Sequence, residues 1–305
     1  MKKKRTLKYS NQQDSHSISF NAMASPCEVI VQTQDKHLAM QVAQCVSREV
    51  WRIEDKYSRY DTRSICSQIN SSAGEKMAID EETFLLLNFA EQCYQLSDGL
   101  FDISSGVLRK VWSFDSASGE CQHFPNQTEV SQLLCLVGWS RVVYDQKRIT
   151  LPQHMELDFG GIGKEYAVDR SILLAKQLTD EPMLVNLGGD LAVTGSRLNN
   201  QPWQVAIEHP DSDALGQPQD MIVALKQGAL ATSGDARRYL IKEGIRYGHV
   251  LNAKTGWPII NAPRSITTVA PQCIQAGILA TLALLQGEYA EQFLTEQDIT
   301  FWARR

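Results

Sequence analysis

The chain has 305 residues, with 30 Lys and Arg against 35 Asp and Glu for a formal net charge of −5, and is 43% hydrophobic, 8% aromatic and 21% charged. These values exclude a disordered or collagen-like chain, and the length suffices to bury a full core without a disulfide or metal staple. A mildly acidic chain also argues against nucleic acid as a partner, because neutralising phosphates takes clustered Lys and Arg, and the one basic run, Lys2 to Arg5, is terminal.

After that run the segment Thr6 to Asp14 is polar and lacks the apolar stretch of about 7–15 residues that a secretory signal requires. Residues 1–18 therefore read as a poorly ordered terminus, followed by a single domain over 19–305. No later window reaches the roughly 18 apolar residues of a membrane span, so no span is expected and the chain reads as cytoplasmic. The seven cysteines are scattered and form no CxxC pair, the pattern of reduced thiols rather than of a disulfide framework or a zinc site.

A strand is expected at 28–32. Leu38, Val42, Cys45, Val46, Glu49, Val50 and Ile53 then recur at helical spacing and predict an amphipathic helix over 38–57. A second helix runs over 81–96, where Asp98-Gly99 stops it; a third runs over 164–178 and a fourth over 272–285. Short β-branched runs at 183–187, 203–207, 221–225, 248–251 and 266–270 predict strands, and the polar stretches 115–128 and 208–219 read as surface loops. Strands outnumber helices in the second half without alternating with them. The expected fold class is therefore α+β, two-lobed, with a mixed or antiparallel sheet.

Several motifs can carry chemistry. Asp158-Phe159-Gly160-Gly161-Ile162-Gly163-Lys164 opens a helix, and such a turn offers backbone N–H groups and a positive helix end to a phosphate, with Lys164 as a point charge. It lacks the spacing of a Walker A loop, and a plain strand-to-helix turn would look the same. Asn186-Leu187-Gly188-Gly189-Asp190 reads as a hairpin turn. Ala231-Thr232-Ser233-Gly234-Asp235, followed by Arg237 and Arg238, fits either a turn holding phosphate or a flavin edge, or a helix cap with solvated arginines. His249 stands on a predicted strand before the turn Asn252-Ala253-Lys254-Thr255-Gly256, and a lone histidine is as readily structural as catalytic. Tyr57 and Tyr60 end the first long helix, where an aromatic ring can stack on a planar ligand or lie on the surface.

Taken in order, these stretches resemble the ApbE family of FAD:protein FMN transferases from about residue 20 to 290. The similarity is carried by Asn21-Ala22-Met23-Ala24-Ser25-Pro26-Cys27, Ser58-Arg59-Tyr60 with Ser64 and Asn70, Gly99-Leu100-Phe101-Asp102, Leu157 to Asp169, Val185 to Asp190, Ala231 to Asp235, His249 to Gly256, and Ala276 to Thr281. The resemblance implies a groove between two lobes that binds FAD with Mg²⁺, and transfer of FMN to a Ser or Thr hydroxyl of an acceptor flavoprotein with release of AMP. Carried over, Tyr60 would stack on the isoalloxazine and Lys164 would face phosphate. Met23, Asp158, Asn186, Gly188, Gly189, Asp190, Thr232, Ser233, Gly234 and His249 would line the FAD site. His249 and Asp235 would be catalytic, and the metal would be held by Thr281 and a backbone carbonyl near Gly163.

The sequence departs from the family pattern at Gly277, where members carry an aspartate one helical turn before the threonine, at Glu165, where glycine is usual, and at Asn252, where aspartate is usual. A chain without that aspartate could be a non-catalytic FAD-binding protein or an FAD pyrophosphatase instead. Gly277→Asp is expected to restore the carboxylate and strengthen the dependence on Mg²⁺.

Overall fold

The computed structural model describes residues 5–12, 14–114, 123–209, 221–235 and 238–305. Strands β1 (Lys8–Gln12), β2 (Ser15–Ala22) and β3 (Ser25–Val31) lead into the long helix α1 (Lys36–Tyr57), and α2 (Ile65–Asn70), β4 (Lys76–Ala78) and α3 (Glu81–Leu96) follow. A 3₁₀ segment at Ile103–Lys110, α4 (Gln127–Leu134), β5 (Val143–Tyr144) and β6 (Arg148–Thr150) precede α5 (Gly163–Lys176). Then come β7 (Met183–Leu187), β8 (Asp190–Val193), β9 (Trp203–Ile207), β10 (Met221–Leu225), β11 (Gly228–Gly234), β12 (Tyr239–Lys242) and β13 (Ile245–Gly248). The chain closes with β14 (Ser265–Ala270), α6 (Cys273–Leu285), α7 (Ala290–Glu296) and β15 (Phe301–Arg304).

The central sheet has eight strands in the order β1-β2-β3-β7-β8-β11-β14-β15, and every neighbouring pair is antiparallel. Its two faces are sorted by the period-2 alternation of side chains. Met183, Val185 and Leu187 of β7, Ala192 of β8 and Ala229 and Ala231 of β11 point into the main core under the helices, with α1 against β2 and β3, α5 against β7 and β8, and α6 against β11 and β14. Leu184, Leu191, Val193 and Leu230 point the other way, where the β9–β10 hairpin covers them with Trp203, Val205, Ile207, Val223 and Leu225. A sheet sheathed on both sides in this way hides its central strands from water, so a site can open only where strands and helices end.

A smaller cluster forms a second lobe. Val107 and Leu108 of the 3₁₀ segment pack with Trp112, Val130 of α4 and Leu240 of the β12–β13 hairpin, and the Trp112 indole N–H donates to the Gly256 carbonyl at 2.8 Å. α4 begins inside the stretch 115–128, which the sequence reads as a loop: Asn126 and Glu129 form a reciprocal capping box that starts the helix. Residues 115–122, 210–219 and Arg237, named in the sequence analysis, lie outside the described residues.

The terminus departs from expectation. Residues 8–12 and 15–22 are strands, and β2 buries Ser15, His16 and Ser17 beside Ile18. The serines conceal the strand in sequence, and their hydroxyls are satisfied locally, Ser17 Oγ donating to Glu28 Oε1 at 2.5 Å on the neighbouring strand. Residues 231–234, read as a turn, form the end of β11 in the middle of the sheet, paired to β14 through Thr232 with Thr267 and Gly234 with Ser265. The strand expected at 248–251 ends at Gly248, and Leu251 makes only an isolated bridge to Pro258.

Candidate active site

Three turns meet where the sheet's central strands end. The β7–β8 turn is a two-residue hairpin in which Gly188 and Gly189 both adopt positive φ, +68° and +106°, and the Gly189 N–H donates to Asn186 Oδ1 at 2.8 Å. Gly188 is sterically fixed as well as conformationally, because a Cβ there would lie 2.6 Å from Ser25 Cβ. That close approach sets the β7–β8 turn against the β2–β3 turn, where Met23 and Ala24 hold φ of 49° and 58° and the Met23 N–H donates to Glu54 Oε1 at 2.6 Å.

Between these turns stands the first turn of α5. Lys164 Nζ donates to Asp190 Oδ2, and Asp190, only 2% exposed, takes a second bond at Oδ1 from the Thr232 N–H at 3.2 Å. Burial pulls the Lys164 ammonium down, but the Asp190 and Glu165 carboxylates outweigh it and hold its pKa above the ordinary value. Lys164 is therefore a fixed cation at a helix N-terminus. Burial, reinforced by Asp190, pushes the neighbouring Glu165 carboxyl up to about 8.

The Tyr60 corner is held by a separate set of bonds. Ser64 Oγ donates to the Ser58 carbonyl at 2.5 Å, and Asn70 brackets Leu157, donating to its carbonyl at 2.9 Å and accepting from its N–H at 2.7 Å. Arg59 then bridges the corner to the glycine turn: one guanidinium nitrogen donates to Asp158 Oδ2 and another to the Tyr60 hydroxyl at 2.9 Å. Asp158 Oδ1 accepts from the Gly160 N–H at 2.9 Å, closing the turn. Tyr60 itself is 80% exposed, an oriented aromatic ring with an open face. Ser64 and Asn70 thus build the corner rather than contact a ligand.

On the far side, Gly234 lies so close to β14 that a Cβ would sit 2.3 Å from the Arg264 carbonyl oxygen, so glycine is obligatory there. Thr281 on α6 donates from Oγ1 to Ser233 Oγ at 3.2 Å, and the Thr232 and Thr267 hydroxyls share a 2.7 Å hydrogen bond. Asp235 is anchored by two guanidinium groups: Arg246 Nε donates to Oδ2 at 2.8 Å, and Arg264 Nε lies 3.6 Å from Oδ1. These contacts tie the end of β11 to β13 and to the start of β14. His249 is different. Its Nδ1 is shut off from solvent and makes no hydrogen bond; burial and the Arg238 charge pull the imidazole down to about 4, with a hydrogen bond to the Arg238 backbone and the Asp235 charge acting against them and Lys164 acting with them. His249 is a neutral base within electrostatic reach of Lys164 and Asp235.

Sequence reasoning missed the residue that joins the two walls. Asp169, one turn after Lys164 and Glu165 on α5, accepts from the N–H groups of Cys273 and Ile274 at 2.8 and 2.9 Å. α6 has no side-chain cap of its own, so Asp169 caps it from the neighbouring helix. The (i, i+4) spacing of Glu165 and Asp169 on one helix face was available as a signal. A separate cavity of about 290 Å³ behind the Asn252–Thr255 turn, lined also by Ile259 and Gln286, shares no residue with this site.

The model of the ApbE family matches residues 23–302. The chain belongs to the ApbE family. The "FAD:protein FMN transferase" of Vibrio cholerae is 27% identical over 246 residues, covering 80% of this chain and 72% of that protein, and the Klebsiella pneumoniae protein of the same name is 27% identical over 273 residues, covering 88% and 81%. The crystal structure of an ApbE protein from Thermotoga maritima superposes with a TM-score of 0.82 at 26% identity, covering 98% of this chain and 94% of that one. The α+β, antiparallel fold is the ApbE fold. No helix among the described residues is long and apolar enough to cross a membrane.

Proposed function

We propose that this chain is an FAD:protein FMN transferase that moves FMN from FAD to a Ser or Thr hydroxyl of an acceptor flavoprotein and releases AMP. The observation that carries the reading is the juxtaposition of a fixed cation, Lys164, with a neutral, half-buried base, His249, beside the exposed Tyr60 corner and the glycine turns. In this reading the isoalloxazine stacks on Tyr60, whose ring Arg59 orients. Lys164 and the N–H groups of the turn opening α5 receive the diphosphate, and Met23, Asn186, Gly188, Gly189 and Asp190 form the wall against which the nucleotide lies. Thr232, Ser233 and Gly234 close the site from β11.

The acceptor hydroxyl gives its proton to the His249 imidazole while its oxygen bonds to the phosphorus of the FMN half. The bond from that phosphorus to the bridging oxygen breaks, and AMP leaves with that oxygen. Such a transfer relies on positioning and charge neutralisation more than on covalent participation by the protein. Asp235, paired with Arg246 and packed against Gly248, is the second catalytic candidate beside His249.

Among the described residues no three His, Cys, Asp or Glu side chains converge as a metal cage. Mg²⁺ needs none, since it is bound by one or two carboxylates together with substrate phosphates. The orphaned Oε2 of Glu165 and the Thr281 hydroxyl are oxygen donors that fit such an ion, and Gly163 opens the same helix turn. When bound, Mg²⁺ would neutralise charge on the diphosphate. Free thiols at Cys27, Cys66, Cys93 and Cys273 accord with a reducing compartment, and the cytoplasm is the proposed location.

The reading is tested by incubating the protein with FAD, Mg²⁺ and an acceptor flavoprotein domain, with AMP release and in-gel flavin fluorescence as readouts. Fluorescent acceptor and stoichiometric AMP are expected. AMP with free FMN and no labelled acceptor would make it a pyrophosphatase, and FAD binding without AMP would make it a binding protein.

A further inference from the structure

Two unfavourable features of the chain occur at one point. Glu165 Oε2 has neither solvent nor a hydrogen-bond partner, and a buried carboxyl oxygen without a partner is costly whether or not the group is ionised. Opposite it, Gly277 interrupts the buried interior of α6, where glycine is about 1 kcal/mol less favourable than alanine. The two are in contact: a Cβ on Gly277 would lie 2.6 Å from Glu165 Cγ and 2.8 Å from Oε1. The glycine is what lets the glutamate enter, so the positions on α5 and α6 at which the sequence departs from the family pattern are one structural change.

Lys164, the adjacent cation, directs its ammonium at Asp190, and Glu165 is left with an oxygen that nothing on the protein answers. Thr281 lies four residues after Gly277, on the same face of α6 and one turn along, with its hydroxyl on Ser233 Oγ at 3.2 Å. The Glu165 carboxylate and the Thr281 hydroxyl therefore face one small space between α5, α6 and the end of β11. A carboxylate beside a hydroxyl is an oxygen set for a hard divalent cation that keeps water and phosphate in its other positions.

We infer that Glu165, reaching from α5 into the space left by Gly277, supplies the carboxylate ligand of a divalent-cation site shared with Thr281. The inference rests on the groove being the FAD site. It removes the ground for reading Gly277 as the loss of metal binding: the carboxylate arrives from the other helix.

The test is Mn²⁺ binding by electron paramagnetic resonance at a fixed concentration of FAD, on the parent chain, on Glu165→Gln and on the double variant Glu165→Gly with Gly277→Asp. FAD binding without metal is measured first by flavin fluorescence. Its absence in the parent would refute the function proposed above, whereas the comparison among variants bears on Glu165 alone. Glu165→Gln keeps the shape of the side chain and should lower Mn²⁺ affinity at least about 10-fold, the lower end of what disturbing a metal site costs, with metal-free FAD affinity unchanged within about 2-fold. The double variant places one carboxylate in the same space from α6 and should recover most of that loss. Mn²⁺ affinity unchanged in Glu165→Gln would overturn the inference. So would a loss that the folded double variant does not recover, since the glutamate would then be acting on the shape of the groove.

Discussion

Asp169→Ala is the perturbation that most directly tests how the two walls of the site are held in register. The substitution removes two hydrogen bonds of 2.8 and 2.9 Å to the first N–H groups of α6, a helix with no side-chain cap of its own. Loss of a helix N-cap costs about 0.5–2 kcal/mol, and hydrogen bonds to a charged group about 1.5–3 kcal/mol. Burial pushes the Asp169 carboxyl up, with the two N–H groups pulling the other way, so desolvation already offsets part of the gain and the region where the two ranges overlap applies, about 2 kcal/mol. For a chain of this length 1 kcal/mol corresponds to about 1.5 °C in Tm, so a fall of about 3 °C is expected by differential scanning calorimetry. Asp169→Asn keeps one acceptor and should lose about half as much. Because α5 carries Lys164 and Glu165 while α6 carries Thr281, Mn²⁺ affinity with FAD present should fall together with Tm. A Tm within 1 °C of the parent, or lost stability with undiminished metal affinity, would refute this account of Asp169 as the link between α5 and α6.

Tyr60→Ala should weaken FAD binding by about 1–3 kcal/mol, the value of a stacked ring. Folding stability should change by less than about 0.5 kcal/mol, since the side chain is 80% exposed; calorimetric titration and urea denaturation separate the two. His249 is pulled from 6.5 to about 4 by burial and the Arg238 charge. The unfolded chain therefore binds the extra proton as pH falls from 6.5 toward 4, and the stability that the neutral ring confers, complete above pH 6.5, is lost through that window. His249→Gln should flatten the difference in urea midpoint between pH 7 and pH 4.5, and an equal difference in both proteins would count against the neutral, half-buried imidazole. Gly277→Asp alone reverses the expectation drawn from sequence: its Cβ would fall 2.6 Å from Glu165 Cγ, displacing that side chain and crowding two carboxylates. Overpacking of this kind costs about 1–3 kcal/mol against a gain of about 0.5–1 kcal/mol from removing a helix glycine. Tm should therefore fall, and a variant of raised Tm and tighter Mn²⁺ binding would contradict the packing described here.

The long helices and the apolar strands were legible because their signals are local. α1 and α3 show their period in consecutive residues, 183–187, 203–207 and 221–225 are β-branched runs, and Gly188-Gly189 between two such segments announces a hairpin. The order of glycine, hydroxyl and histidine motifs likewise sufficed to place the chain beside the ApbE family, because those motifs are short and contiguous. Other features depend on partners far along the chain, and no local window contains them. β2 is a strand because its backbone pairs with β1 and β3 and Ser17 bonds across to Glu28, and 231–234 is a strand rather than a turn because β14 packs so tightly against Gly234 that only hydrogen fits. Asp235 stands beside Arg237 and Arg238 in sequence, yet folding pairs it with Arg246 and sets its Oδ1 3.6 Å from Arg264 Nε, neither of them a neighbour in the chain. The sequence shows Glu165 and Gly277 as two separate departures 112 positions apart. Only the packing of α5 on α6 makes them one, because whether a glycine is a missing ligand or the room for another depends on which side chain stands opposite it.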